Sequence, residues 1–186
     1  MNLTKNLHQR TAAITHIIFD VDGVMTDGRL FFTQQGEAHK SFHVRDGLGI
    51  QLLQRASIGI AVISGRDSSI VTNRLNALGI HEIYQGVTAK EKAYATFKQQ
   101  HRLQDHHIAY MGDDLIDLPI LCQVGLAICV ADAHEQVKQQ AHWCTRNMGG
   151  QGAVREACEW LLQMQGKLQP LIQHYLSNTQ KKPAPH

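Results

Sequence analysis

The chain has 186 residues, and at roughly 100–200 residues per domain that length predicts one domain with a full hydrophobic core. Hydrophobic residues make up 43% and charged residues 18%, which excludes a disordered composition. The formal charge of +2 lacks the strong basic excess of a general nucleic-acid binder, although 12 histidines add positive charge below about pH 6.5.

The longest apolar stretches, at 58–63 and 126–131, fall far short of the roughly 20 residues that cross a bilayer. The first fifteen residues carry Lys5, His8 and Arg10 without an apolar core or a small-residue cleavage site, so no secretory leader is expected. Cys122, Cys129, Cys144 and Cys158 have neither CxxC spacing nor the density of a disulfide scaffold. Each falls in an apolar or helical stretch, which predicts buried free thiols and a reducing, cytoplasmic location.

In chain order, residues 16–19 form a short apolar strand ending at Asp20. Two β-prone runs then flank a polar turn ending in Gly36, and residues 27–43 read as a hairpin inserted before the first helix. An isolated hairpin is marginal in water, so Phe31, Phe32 and Phe42 need cover from the domain or from another subunit. A second strand is expected at 58–63, and Ile70, Val71, Arg74, Leu75 and Leu78 follow at helical spacing. A weaker strand at 82–84 precedes a helix marked by Ala89, Ala93 and Phe97. Strands at 108–111 and 126–130, with a weaker one at 142–145, lead to a helix carrying Val154, Ala157, Cys158, Leu161 and Leu162. Leu168, Leu171, Ile172 and Tyr175 continue the helical pattern, and the segment 178–186, with Lys181, Lys182, Pro183 and Pro185, reads as a disordered tail. Apolar strands alternating with amphipathic helices describe a doubly wound α/β domain over 1–177, its parallel sheet covered by helices on both faces.

In such a sheet, ligands bind beyond the carboxyl ends of the strands. Those ends read Asp20-Val21-Asp22-Gly23, Ser64-Gly65-Arg66-Asp67 and Gly112-Asp113-Asp114-Leu115-Ile116-Asp117, and Lys90 opens a helix. Carboxylates crowded at one edge need a cation, because like charges raise each other's pKa. Asp20 and Asp113, with a backbone carbonyl and waters, suit Mg²⁺ better than zinc, which prefers thiol or imidazole donors. The metallated edge is then a phosphate site, with Ser64, the N–H groups following it at a helix start, and Lys90 as partners. Asp20 is placed to act as nucleophile, forming an aspartyl-phosphate, and Asp22 as acid and base for the leaving and entering oxygens.

A plainer reading attends each feature taken alone. Asp and Gly are common where strands become loops, Ser64 and Asp67 are candidate helix N-caps, Lys90 is a candidate solvated charge, and Asp113, Asp114 and Asp117 suit a helix N-terminus. Their joint order at successive strand ends favours phosphoryl transfer.

Asp20-Val21-Asp22-Gly23, Ser64, Lys90 and Gly112-Asp113-x3-Asp117 resemble the four motifs of the haloacid dehalogenase superfamily. The run 36–47, including Lys40 and His43-Val44-Arg45-Asp46-Gly47, together with Ser64-Gly65-Arg66, Val130-Ala131-Asp132-Ala133 and the block 149–156, is similar to the 3-deoxy-D-manno-octulosonate 8-phosphate phosphatase family. That resemblance covers about 14–166. It implies a Mg²⁺-dependent phosphatase releasing the sugar acid Kdo during lipopolysaccharide synthesis in a Gram-negative cytoplasm. It also implies a fold without a large cap domain, and a homotetramer whose assembled hairpins let a neighbouring subunit close each site. By position it gives Asp20, Asp113 and the Asp22 carbonyl as metal ligands. Asp22, His43, Val44, Arg45, Asp46, Gly47, Gln51, Arg66, Arg74 and Lys90 are given as substrate contacts. Gln51 and Gln151 depart from the family pattern, in which a basic residue is frequent at both positions.

Several alternatives stay open from sequence. Arg74 is either a bidentate partner for an acidic substrate or a snorkelling surface arginine. Arg155 binds substrate or pairs with Glu156 or Glu159. His101, His106 and His107 form a metal site or a polar surface run. At the level of function, the rivals are a phosphatase of a sialic-acid-type 9-phosphate and a non-enzymatic phosphoacceptor module.

Overall fold

The structure is a computed structural model, and it describes residues 3–179. Eight helices and eight strands are described: α1 (Leu3–Ala13), β1 (His16–Phe19), β2 (Phe31–Thr33), β3 (Gly36–His39), α2 (Val44–Arg55), β4 (Gly59–Ile63), α3 (Ser69–Ala77), β5 (Glu82–Tyr84), α4 (Lys90–His101), β6 (Ile108–Gly112), α5 (Leu118–Leu121), β7 (Leu126–Cys129), α6 (Glu135–Gln140), β8 (Trp143–Cys144), α7 (Ala153–Met164) and α8 (Leu168–Thr179).

Six strands form one parallel sheet in the order β5-β4-β1-β6-β7-β8. The chain builds one half as β1, β4 and β5, then crosses over and builds the other as β6, β7 and β8. The direction reverses between β1 and β6, where Phe19 lies opposite Met111, and such a switch point opens a crevice at the strand ends. Ile17, Ile18 and Phe19, all of β6 and all of β7 are buried, as strands covered on both faces require. The weak strand candidates at 82–84 and 142–145 are present as the two edge strands, the second shortened to two residues.

Helix α7 buries Ala153, Val154, Ala157, Cys158, Leu161 and Leu162, the stripe its spacing predicts. Its main helical neighbour is α2, which buries Ile50, Leu52 and Leu53. Gly49 admits the close crossing, because a Cβ there would lie 3.0 Å from the Arg155 Cα. The hairpin forms as a separate two-stranded sheet of β2 and β3. Leu30, Phe31 and Phe32 remain exposed on it, whereas Phe42 packs against the core.

Some sequence expectations are corrected. Helix α1 was not predicted, because polar ties fasten it where an apolar stripe would have been legible. Thr11 is fully buried and bonds the carbonyls of Leu7 and His8, Arg10 reaches the Gly125 carbonyl at 2.7 Å, and Gln165 donates to the carbonyls of Thr11 and Ile14. Of the four thiols, only Cys129 and Cys158 are buried; Cys122 is exposed at the end of the short helix α5, and Cys144 is half-buried on an edge strand. Helix α8 runs through residues 178 and 179, so the expected tail begins no earlier than 180, and 180–186 lie outside the described residues.

Candidate active site

The ends of β1 and β4 each extend the ladder by one more backbone bond before the chain turns away. The Asp20 N–H donates to the Met111 carbonyl at 3.0 Å, and the Ser64 N–H to the Tyr84 carbonyl at 2.8 Å. Asp20 and Ser64 are thereby fixed by the sheet and buried at its edge. After Asp20 the chain folds into a tight turn, in which the N–H groups of Met25 and Thr26 both bond the Val21 carbonyl. Gly23 (φ +87°) belongs to that turn, and a Cβ there would fall 2.0 Å from an Asp113 carboxylate oxygen. Glycine is required on both counts.

A buried ionic cluster forms behind the edge. Lys90 Nζ lies 2.8 Å from Asp20 Oδ1 and 2.7 Å from Asp117 Oδ1. Asp117 is completely buried: Oδ1 also accepts the Tyr110 hydroxyl at 2.6 Å, and Oδ2 accepts the N–H groups of Asp113 and Asp114 at 2.9 and 3.2 Å. Burial works to lower the Lys90 ammonium, and its two carboxylates overcome it, so its pKa is raised. Burial also raises the Tyr110 hydroxyl, reinforced by Asp117.

Three carboxylates face that single ammonium. Burial first, then Asp117, raises Asp20 to about 7 against the pull of Lys90. Burial, Asp20 and Asp117 raise Asp113 to about 8. Ligand oxygens of Asp20, Asp113 and Asp117 lie within 4.8 Å of one another, the one such grouping of potential metal ligands among the described residues. Asp117 joins by distance only, since its oxygens are already engaged. Asp113 Oδ1 is buried without a hydrogen-bond partner. An orphaned oxygen beside a second carboxylate, with no sulfur or imidazole in the grouping, fits a hard divalent cation such as Mg²⁺.

In front of the cluster lies a cleft of about 250 Å³ lined by Asp20, Asp22, Ser64, Arg66, Asp113 and neighbouring backbone. Asp22 Oδ1 meets the ammonium of Lys40, and Arg66 Nε lies 3.8 Å from Asp22 Oδ2. The Lys40 side chain has no exposed surface and also pairs with Glu37 at 3.1 Å. Glu37 in turn accepts the Ser68 hydroxyl. Ser68, rather than Ser64 or Asp67, is the N-cap residue of α3, and its hydroxyl serves Glu37 instead of capping. The expected helix start directly after Ser64 is therefore displaced to Ser69, with a turn between.

The structure brings Asp20, Asp22, Ser64, Arg66, Lys90 and Asp113 together, and it places the remaining predicted contacts elsewhere. His43 is the N-cap of α2, Val44 and Arg45 are exposed, and Gln51 lies on the exposed face of that helix. His43 and Arg45 line a separate cavity of about 810 Å³ with Arg155, Gln151 and the stacked rings of Trp143 and Trp160. Asp46 accepts the Arg155 N–H at 2.8 Å. Arg74 is half-buried, with its guanidinium 6.0 Å over Phe42 and against Gly47, so it is not a surface snorkeller. Nitrogens of His43, Arg74 and Arg155 and one Asp46 oxygen are buried without partners. The Arg155 side chain pairs with Glu159, whereas Glu156 bonds Arg146 and Asn147. His101 pairs with Glu82 at 3.3 Å, His107 Nδ1 accepts the Gln104 N–H, and His106 packs on the His107 ring, which supports the polar-surface reading.

The position of Asp117 in its motif was legible from sequence, but its role as the hub for Lys90 and Tyr110 was not. Lys40 and Glu37 were visible only as part of a family-like phrase. Nothing in their spacing announces that a hairpin would carry them to Asp22.

Comparison with known proteins agrees with this geometry. Residues 67–156 match the family model of haloacid dehalogenase-like hydrolases. The 3-deoxy-D-manno-octulosonate 8-phosphate phosphatase of Yersinia pestis is 47% identical over 161 residues, covering 87% of this chain and 86% of that protein. Its crystal structure superposes with a TM-score of 0.86 at 46% identity, covering 88% and 89% of the two chains. The phosphatase of the same name from Moraxella catarrhalis, solved with a magnesium ion, a phosphate ion and KDO, gives a TM-score of 0.89 at 36% identity over 92% of this chain and 98% of that one. On sequence, fold and site together, the chain belongs to the 3-deoxy-D-manno-octulosonate 8-phosphate phosphatase family of haloacid dehalogenase-like hydrolases.

Proposed function

We propose that this protein is a Mg²⁺-dependent phosphatase that hydrolyses 3-deoxy-D-manno-octulosonate 8-phosphate to Kdo and inorganic phosphate in lipopolysaccharide biosynthesis. The observation that carries the reading is the orphaned Asp113 oxygen beside Asp20, in a cleft that also presents Asp22 and Ser64. Asp20 and Asp113 would hold the ion, with the Asp22 carbonyl as a third ligand. Bound there, magnesium supplies charge neutralisation to the carboxylates and the phosphoryl oxygens.

The chain's own groups account for the remaining chemistry. Asp20, fixed by the β1–β6 ladder, attacks phosphorus and forms an aspartyl-phosphate as the bond to the sugar oxygen breaks. Asp22 gives its proton to that departing oxygen, then takes one from the water that hydrolyses the intermediate. Lys90 and the Ser64 hydroxyl stabilise charge on the transferring group, Lys90 being oriented by Asp117.

The second group of predicted contacts is assigned to a neighbouring subunit's site in a homotetramer. His43, Val44, Arg45, Asp46, Gly47, Gln51 and Arg74 stand apart from the cleft of their own chain and include unpartnered buried polar atoms. The exposed Leu30, Phe31 and Phe32 of the hairpin supply apolar surface for assembly. A cytoplasmic location suits four free thiols, and no described helix is long and apolar enough to cross a membrane.

Phosphate release from Kdo 8-phosphate and from a sialic-acid-type 9-phosphate, each with Mg²⁺ and with EDTA, tests the reading. Kdo 8-phosphate is expected to be clearly preferred, with activity lost on chelation and restored by Mg²⁺. Preference for the 9-phosphate would reassign the substrate, an outcome to which the departures at Gln51 and Gln151 lend a reason. A stable phosphoprotein without turnover would assign a phosphoacceptor instead.

A further inference from the structure

Resting on the proposed reaction, we propose that Lys40 is a positioning residue for Asp22: delivered by the hairpin and steadied by Glu37, it fixes which carboxylate oxygen exchanges the proton. Asp22 has two oxygens with different surroundings. Oδ1 is engaged by the Lys40 ammonium and, at 3.4 Å, by the Thr26 hydroxyl. Oδ2 has no hydrogen bond among the described residues and is approached by Arg66 Nε at 3.8 Å. A carboxylate gripped through one oxygen cannot rotate freely, so Oδ2 is the oxygen left to serve the leaving group.

The grip is itself held from behind. An ammonium with no exposed surface cannot be solvated and must find its partners in the protein, and Lys40 has both Asp22 and Glu37. Glu37 is anchored through its other oxygen to Ser68, at the start of α3. Burial alone would raise the Glu37 carboxyl, but the Ser68 hydroxyl and Lys40 overcome it and hold it below the usual carboxylate range. Three separate elements, the turn after β1, the hairpin and α3, are thereby joined through one lysine. Lys40 is absent from the cleft lining, so it acts on the reaction only through Asp22.

A lysine that merely fastens the hairpin and one that orients the acid make different predictions about leaving groups. A sugar alkoxide needs a proton as its bond to phosphorus breaks, whereas p-nitrophenolate leaves without one. The test is single-turnover release of the leaving group from Kdo 8-phosphate and from p-nitrophenyl phosphate, in wild type, Lys40→Met, Lys40→Arg and Glu37→Gln. Lys40→Met is expected to slow release from the sugar phosphate by about 10²-fold, within the range of general acid catalysis. Release of p-nitrophenolate should change by less than about threefold, and KM for the sugar phosphate should barely move. Lys40→Arg should recover most of the loss, and Glu37→Gln should show a smaller loss with the same selectivity.

Equal losses on both substrates would overturn the inference, as would no loss on either. If Lys40→Met does not fold, Glu37→Gln, which keeps the Lys40–Asp22 pair and loses only its support, carries the same comparison. Failure of wild type to turn over Kdo 8-phosphate would sink the proposed function instead, and the ratio would then be read on whichever alkyl phosphate the protein does hydrolyse.

Discussion

Two groups of ionisable side chains bury polar atoms in this protein, and they are finished to different degrees. Around Asp117, both carboxylate oxygens are engaged, by Lys90, Tyr110 and two backbone N–H groups. The second group, at the junction of α2, α3 and α7, leaves unpartnered atoms on His43, Asp46, Arg74 and Arg155. Buried polar atoms are nearly always hydrogen-bonded. The first group therefore reads as internal scaffolding that aims Lys90 and Asp20, beside which the unpartnered Asp113 oxygen is left. The second is left open, and on the proposed function it is the part that a neighbouring subunit's site would engage.

The sharpest way to break that distinction is Asp20→Asn. It keeps an oxygen for Lys90 but removes the proposed nucleophile, so kcat should fall by more than about 10⁴-fold with little change in the melting temperature; residual turnover near wild type would refute the assignment. Asp117→Ala should act on stability. It strands Tyr110 and two N–H groups, and leaves Lys90 with a single partner, so denaturant unfolding should register a loss of about 3–5 kcal/mol. If the unfolding midpoint hardly moves, the scaffolding role is wrong. Arg74→Met should do the reverse: unfolding close to wild type, but kcat/KM for the sugar acid phosphate lowered about 10- to 100-fold, chiefly through KM. A large stability loss without a KM effect would turn the second group into scaffolding as well.

The layered fold was readable because β1, β4, β6 and β7 are apolar on both faces and α7 carries a clean stripe. Helix α1 escaped because Thr11, Arg10 and Gln165 fasten it through backbone carbonyls, a device that periodicity does not register. In the site, Asp20, Ser64, Lys90 and Asp113 were legible because each closes a strand or opens a helix, where a doubly wound sheet gathers ligands. Lys40 was not, since its partner Asp22 is eighteen residues distant and the intervening hairpin decides the encounter. The thiols illustrate the opposite error: Cys122 follows an apolar run, yet α5 ends just before it and turns it to solvent.

The segment before α7 carries none of the proposed reacting groups, yet it is moulded onto the turn that does. Gly149 lies so close that a Cβ would fall 1.8 Å from the Gly23 carbonyl oxygen, and the Gly150 N–H bonds the Val24 carbonyl at 3.0 Å. Gly149 is held from the other side by Asp132. The turn bearing Asp22 is thus cast against a backbone mould supplied by a distant stretch of chain. A single methyl group at position 149 would press on that casting from beneath and deform the catalytic turn without touching any reacting atom.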